Sequence, residues 1–401
     1  LYETGEGWYR RSLPCSAEQL SGRVLLNFDG VYMNSTLFVN GKEAGSWTYG
    51  YSAFEHDITD FLHEGENELL LRVSHQSPNT RWYSGAGIFR DFMLKLRPAA
   101  YIGTNGVYIH SAPQPEGGWT TEVETDVVGE ASDIRMLLEV FDPAGASMGG
   151  YGLEAHFDGG YEKFTASFNS TDPELWSVDD PMLYTLKISL YSGSELLDCV
   201  NETFGYRTAE FDPDRGFLLN GEPVKLHGVC MHHDLGALGS ALNEAALARQ
   251  LRIMKEMGVN AIRTSHNMPA RQLVQLCDEM GLLVDSEAFD MWEKPKTEFD
   301  NHRFFTEHAE RDVRSWIERD RNHPCIVMWE VFNEVHRQEL KRLRHPMALA
   351  ARSLDESRMI LDESGGFYDG ASVYLPGEWS PTVIADVHFY PGAPVNNHTY
   401  A

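Results

Sequence analysis

Positive charge is scarce: 33 Lys and Arg stand against 60 Asp and Glu, for a formal net charge of −27. Such an excess of carboxylates repels phosphate backbones and anionic headgroups, so neither nucleic acid nor a membrane surface is expected as a partner. No uncharged apolar run reaches the roughly 18 residues needed to cross a bilayer. Cysteine is sparse as well. Cys15, Cys199, Cys230, Cys277 and Cys325 are scattered, odd in number and without a Cys-x-x-Cys pair, which argues against a disulfide framework or a zinc site. Most of them read as small buried thiols. The chain also lacks an initiating Met: Leu1 stands first, and Gly7-Trp8-Tyr9-Arg10-Arg11 reads as an edge already inside a domain. The natural start is therefore expected to be missing, and the compartment stays unknown.

What is present is ample. The 401 residues amount to two or three domains of common size, which excludes a single small binding module, and a hydrophobic share of 42% supplies their cores. Residues 1–98 alternate in short strands, such as Arg23–Phe28, Ser35–Val39 and Glu68–Val73, separated by turn pairs such as Asn40-Gly41. That pattern predicts an antiparallel jelly-roll sandwich. Strands continue over 99–208, as at Thr121–Thr125 and Tyr184–Leu190, and fit an immunoglobulin-like sandwich. From 209 to 401 short apolar runs alternate with helical stretches of period 3.6. Strands are predicted at 225–230, 259–264, 282–285, 326–332, 358–361 and 383–388, with helices between them. Alternating βα units imply a parallel sheet, here about six of the eight units of a TIM barrel.

The segment Ile326-Val327-Met328-Trp329-Glu330-Val331-Phe332-Asn333-Glu334 is the most informative. It is an apolar strand that ends in Asn and Glu where a barrel opens to its active face. Apolar neighbours would make Glu334 harder to ionise, as a proton donor working near neutral pH requires. The plainer alternative is a Glu paired with one of the arginines. Other strand ends are polar too: His232 and His233 after the first, Arg263 and His266 after the second, Glu287 after the third, His388 and Tyr390 after the sixth. Repetition at one end of the barrel points to a rim that holds hydroxyls. The histidines lack the His-x-x-x-His spacing of a helical metal site, so no metal or other cofactor is expected.

These residues resemble glycoside hydrolase family 2, the β-galactosidases, β-glucuronidases and β-mannosidases. Arg81-Trp82-Tyr83-Ser84-Gly85-Ala86-Gly87-Ile88-Phe89-Arg90-Asp91 is similar to the end of the family's jelly-roll domain, and Phe204-Gly205-Tyr206-Arg207 to the close of its immunoglobulin-like domain. Arg263-Thr264-Ser265-His266-Asn267, Arg319-Asp320-Arg321-Asn322-His323-Pro324 and Asn333-Glu334 are similar to its barrel stretches. The resemblance implies that Glu334 is the general acid/base and that Asn333 contacts the sugar 2-hydroxyl. His232, Arg263, His266 and Glu287 match positions that line the sugar pocket or orient its carboxylates, and His388 and Tyr390 lie in a run resembling the sixth-strand end. The Arg319 to Pro324 stretch is expected to fix a helix-to-strand turn, and Arg81, Trp82 and Tyr83 to be structural.

Some positions depart from the family. Ser286 replaces the usual Asp before Glu287, Met268 replaces a Pro, and the Glu-x-His that serves magnesium in large β-galactosidases is absent after Glu287. A retaining glycosidase needs a second carboxylate about 5 to 5.5 Å from the first. The later glutamates, Glu339, Glu356, Glu363 and Glu378, are poor candidates; Glu378 sits in a Pro-Gly-Glu-Trp-Ser loop setting. The nucleophile is expected beyond residue 401, so residues 1–401 alone are expected to be inactive. The reading is a retaining exo-β-glycosidase, β-galactosidase-like, acting on a carbohydrate substrate. A β-glucuronidase, a β-mannosidase and a non-catalytic carbohydrate-binding protein with a decayed barrel are the alternatives, and a homo-oligomer stays open.

Overall fold

The structure, a computed structural model, describes residues 4–130, 132–335, 337–362, 371–384 and His388. In the first unit, strands Gly5–Cys15, Gly65–His75, Ser35–Val39 and Lys42–Trp47 form one antiparallel sheet in that order. Phe54–Asp57, Arg23–Phe28 and Phe92–Arg97 form the sheet facing it. Alternate residues Val24, Leu26, Phe28, Leu37, Val39, Leu71 and Val73 meet between the sheets. Each such side chain contributes about 1.5–3 kcal/mol by leaving water. The Asn40-Gly41 pair makes the hairpin as the sequence predicts, because both residues adopt positive φ (+50° and +78°), which matches the twist of the flanking strands.

A second sandwich follows. Ala100–Pro113, Trp119–Gly129 and Gly160–Ser170 pack on Ser147–Phe157, Ser132–Phe141, Tyr184–Ser192 and Glu195–Phe204, around a core that includes Val123, Phe157, Ile188 and Tyr206. A three-stranded meander, Ala209–Asp212, Gly216–Leu219 and Glu222–Pro223, then leads into the barrel and lends it Phe217 and Leu219. The sequence pattern did not announce this meander.

The barrel strands are Gly228–Met231, Ala261–Thr264, Leu283–Glu287, Ile326–Glu330 and Met359–Leu361, adjacent and parallel. Four helices alternate with them: α1 (Glu244–Glu256), α2 (Arg271–Met280), α3 (His302–Asp320) and α4 (Arg337–Arg352). Asn243 caps α1, its side chain accepting from the Ala246 N–H at 2.9 Å. Helix α3 turns Phe305, Ala309, Val313, Trp316 and Ile317 inward at helical spacing. The predicted sixth unit is corrected. After Leu361 come Ala371–Tyr374 and Thr382–Ile384, both antiparallel to their neighbours, with a strand where a crossover helix was expected. The short Pro-Gly turn at 376–377 joins these two strands directly, and so tight a connection permits only antiparallel pairing.

The units share their packing. The largest apolar cluster unites Tyr32, Met33, Tyr49, Tyr51 and Tyr83 of the first sandwich with the barrel interior. Arg319, whose side chain is 1% exposed, pairs with Asp320 at 2.6 Å and Asp29 at 3.1 Å, and donates to the Pro269 carbonyl. Asn322 accepts from the Ile109 N–H and donates to the Val107 carbonyl, both at 2.9 Å. The Arg319 to Asn322 stretch thus clasps both sandwiches, in addition to any role in its own turn. Three cysteines, Cys15, Cys277 and Cys325, are buried; Cys199 and Cys230 are exposed.

Candidate active site

At the carboxyl ends of the second to fourth barrel strands, one guanidinium gathers the acids. Arg263 holds Glu330 with two hydrogen bonds (2.6 and 2.8 Å), Glu287 at 3.1 Å and, more distantly, Asp285 at 4.0 Å. Strand register sets Glu287 beside Glu330, which brings two carboxylates to one cation. Glu287 is fully buried. Burial drives it well above the usual carboxylate range, Arg263 opposes that shift and Glu330 adds to it. His266 lies with Nδ1 3.0 Å from both Glu287 oxygens. Burial, aided by the Arg81 charge, holds its ring below the ordinary histidine value, so the imidazole stays neutral near pH 7.

His232 follows the first strand. Its Nδ1 lies 3.1 Å from the Tyr83 hydroxyl, and its ring stands 4.7 Å from Trp82 and 5.2 Å from His266. Burial lowers it also. His233 turns the other way, onto the Asn267 carbonyl at 2.8 Å beside Tyr51, and burial brings it to about 3: a core histidine.

Asn333 is buried, and Glu334 next to it has φ +47°. That left-handed turn takes the Glu334 side chain out of the buried strand end: it is 39% exposed, and His388 Nδ1 lies 2.6 Å from its Oε1. The expectation of an apolar setting for Glu334 is corrected accordingly, since the deeply buried acids here are Glu287 and Glu330. The predicted residues therefore fall into two groups. Arg263, His266 and Glu287 touch one another, with His232 against His266 and Asn333 3.4 Å from Arg263. Glu334 and His388 form a pair joined to them through the backbone of Asn333. Tyr390 lies outside the described residues.

Sequence reasoning missed Glu330, Asp290 and Lys296. Glu330 interrupts an apolar run and Asp290 follows Glu287 by three residues, signals that were readable; Lys296 carried none. Asp290 is ligated by Arg81 and Thr80 of the first sandwich, so Arg81 reaches the site instead of serving only its own domain. Among the described residues no three His, Cys, Asp or Glu side chains are grouped as a metal ion would need. Of the later glutamates, Glu339 is buried on α4, Glu356 and Glu378 are exposed in loops, and Glu363 lies outside the described residues.

Comparison with known proteins agrees with this architecture. Residues 2–98 match the family description "Glycosyl hydrolases family 2, sugar binding domain", 107–207 match "Glycosyl hydrolases family 2", and 213–380 match "Glycosyl hydrolases family 2, TIM barrel domain". A β-galactosidase of Bacteroides ovatus, BoGH2A, is 40% identical over 364 residues, covering 89% of this chain and 42% of the relative. A putative β-glucuronidase of Formosa agariphila is 34% identical over 370 residues, covering 91% of this chain and 34% of the relative. The chain thus spans less than half the length of either. Among solved structures, a family 2 member from Bacteroides cellulosilyticus superposes with a TM-score of 0.86 at 31% identity, over 89% of this chain and 47% of its own. With matches running through both sandwiches and the barrel, the chain belongs to glycoside hydrolase family 2.

Proposed function

We propose that this chain carries the acid/base half of a retaining exo-β-glycosidase, and that the substrate is a β-galactoside. Glu334 donates a proton to the departing glycosidic oxygen, then takes one from the water that releases the sugar. Asn333 grips the 2-hydroxyl, while His232, His266, Arg263, Glu287 and His388 bound the sugar pocket. The domains proposed for this work are a jelly-roll unit at 1–98, an immunoglobulin-like unit at 99–208 and a barrel from 209.

The observation that carries the reading is the pairing of a buried, fully anchored Asn333 with a solvent-reachable Glu334 at one strand end. A proton donor must meet both substrate and water, and a half-exposed carboxyl does so. The nucleophile is proposed to be a carboxylate outside residues 1–401, because Glu339 is buried and taken up by the Lys294 N–H, and Glu356 and Glu378 lie in exposed loops. Identity to the β-galactosidase of Bacteroides ovatus supports the galactoside; likeness to a putative β-glucuronidase favours a β-glucuronide as the second reading.

The test is turnover by the full-length polypeptide of nitrophenyl β-galactoside, β-glucuronide and β-mannoside, with the product anomer read by NMR. In kcat/KM, which reports the step that expels the leaving group, Glu334→Gln is expected to lose on the order of 10²–10⁴-fold on a poor leaving group. It should lose far less on a dinitrophenyl glycoside, whose departure needs no proton. Equal loss on both leaving groups would remove Glu334 from the acid role, and an inverted product would rule out retention.

A further inference from the structure

Asn333 has four polar atoms, and each is anchored. Its N–H donates to the Phe289 carbonyl at 2.9 Å, and its carbonyl accepts from Lys296 Nζ at 2.7 Å. Its side-chain Nδ2 donates to Asp290 Oδ1 at 3.1 Å, and its Oδ1 accepts from Arg263 Nη2 at 3.4 Å. This pattern allows one amide orientation. A half-turn about the last bond would set Oδ1 against a carboxylate and Nδ2 against a guanidinium, two repulsive contacts in a buried place. In the orientation held, one N–H and one lone pair remain to meet a ligand hydroxyl.

The orientation depends on Asp290 staying ionised and fixed. Its Oδ1 accepts from Arg81 Nη2 (2.6 Å) and Lys296 Nζ (3.0 Å), and its Oδ2 from Arg81 Nε (2.8 Å) and the Thr80 hydroxyl (2.6 Å). Its side chain is 3% exposed. Burial alone would raise it; Lys296 and Arg81 together hold it far below the usual carboxylate range. Two of its three partner residues other than Asn333 come from the first sandwich, some 210 residues away in sequence. They are held there firmly: Arg81 sits at φ +54°, the Thr80 N–H donates to Asn79 Oδ1 at 2.7 Å, and Asn79 donates to the Phe299 carbonyl at 2.7 Å.

We propose that Arg81 is a positioning residue: acting through Asp290 it fixes the Asn333 amide, so the first sandwich domain sets how the barrel grips the sugar 2-hydroxyl. This rests on the reading that Asn333 meets that hydroxyl. Contacts to the 2-hydroxyl strengthen in the transition state, so loosening Asn333 costs kcat more than KM.

The experiment compares an aryl β-glycoside with its 2-deoxy counterpart, using the full-length polypeptide. Arg81→Met is expected to lower kcat on the parent substrate on the order of 10- to 100-fold, the scale of a misplaced positioning group. The 2-deoxy substrate, having no hydroxyl to grip, should be largely spared, and Asp290→Asn should repeat the pattern. Arg81→Lys, which keeps the charge without the two-pronged geometry, should show a smaller loss with the same substrate dependence, and it reads the ratio if Arg81→Met fails to fold. Equal losses on both substrates would make Arg81 merely structural and overturn the inference, while the glycosidase reading would stand. A wild-type protein that turns over no β-glycoside would overturn both.

Discussion

Replacing Arg263 by Met tests the electrostatic description of the site directly. The guanidinium is 15% exposed and sits between Glu287 and Glu330, whose side chains are 0% and 2% exposed. Breaking a buried pair by removing one partner costs about 3–5 kcal/mol, because a charge is left unanswered. The fold can relieve part of that cost by binding one more proton on the Glu287 and Glu330 pair. An unfolded Glu, with its ordinary value of 4.5, has lost its proton above that pH, so the extra proton is held only by the folded state. Unfolding free energy then falls as pH rises, by about 1.4 kcal/mol per unit. A penalty of about 4 kcal/mol at pH 7 should shrink to about 1 kcal/mol at pH 5. Urea unfolding of wild type and variant, followed by tryptophan fluorescence at pH 5, 6 and 7, reads the difference. A stability gap that stays constant across those pH values would refute the shared-cation account.

Two further perturbations address the framework. His75 is 1% exposed, neither ring nitrogen has a hydrogen-bond partner among the described residues, and burial holds it at about 4. An unfolded histidine takes its proton near 6.5, so wild type loses stability as pH falls from 6.5 through 4, by up to about 3 kcal/mol. His75→Phe keeps a ring against Tyr32 without titrating, and its thermal melts should gain on wild type toward pH 4; parallel curves from pH 7.5 to 4 would contradict this. Gly281 closes α2 at φ +68°, and a Cβ there would lie 2.1 Å from the Val178 carbonyl oxygen. Gly281→Ala should cost more than the roughly 1–2 kcal/mol of left-handed backbone alone. A melt unchanged from wild type would show that residue 178 yields freely.

The strands of both sandwiches were legible because alternation is a local signal: Arg23–Phe28 and Ser35–Val39 are found where the pattern sets them. Helix α2 was equally plain, since four buried apolar residues end at a glycine. The antiparallel pair after Leu361 was not legible. Apolar content marks a strand but not its direction, and only the length of the connection decides that. At the site, strand-end position identified Arg263, His266 and Glu287. It did not reveal that Arg263 pairs with Glu330, because periodicity cannot tell which carboxylates a guanidinium will reach. The reach of Arg81 was not legible for a related reason: its partner Asp290 lies in another domain, and no sequence spacing encodes contact between domains.

The clasp formed by Arg319 and Asn322 bears on how such a chain can be cut and rejoined. A barrel exchanged into another scaffold would meet a foreign surface at the place where Asp29 answers a guanidinium and where residues 107 and 109 answer an amide. Unless the recipient offers the same three groups, the transplant leaves one Arg319 donor and two Asn322 hydrogen-bonding atoms without their partners in the seam, although Asp320 still answers the Arg319 charge. An exchange that cuts between these units therefore costs stability, and the two sandwiches and the barrel are best moved as a block.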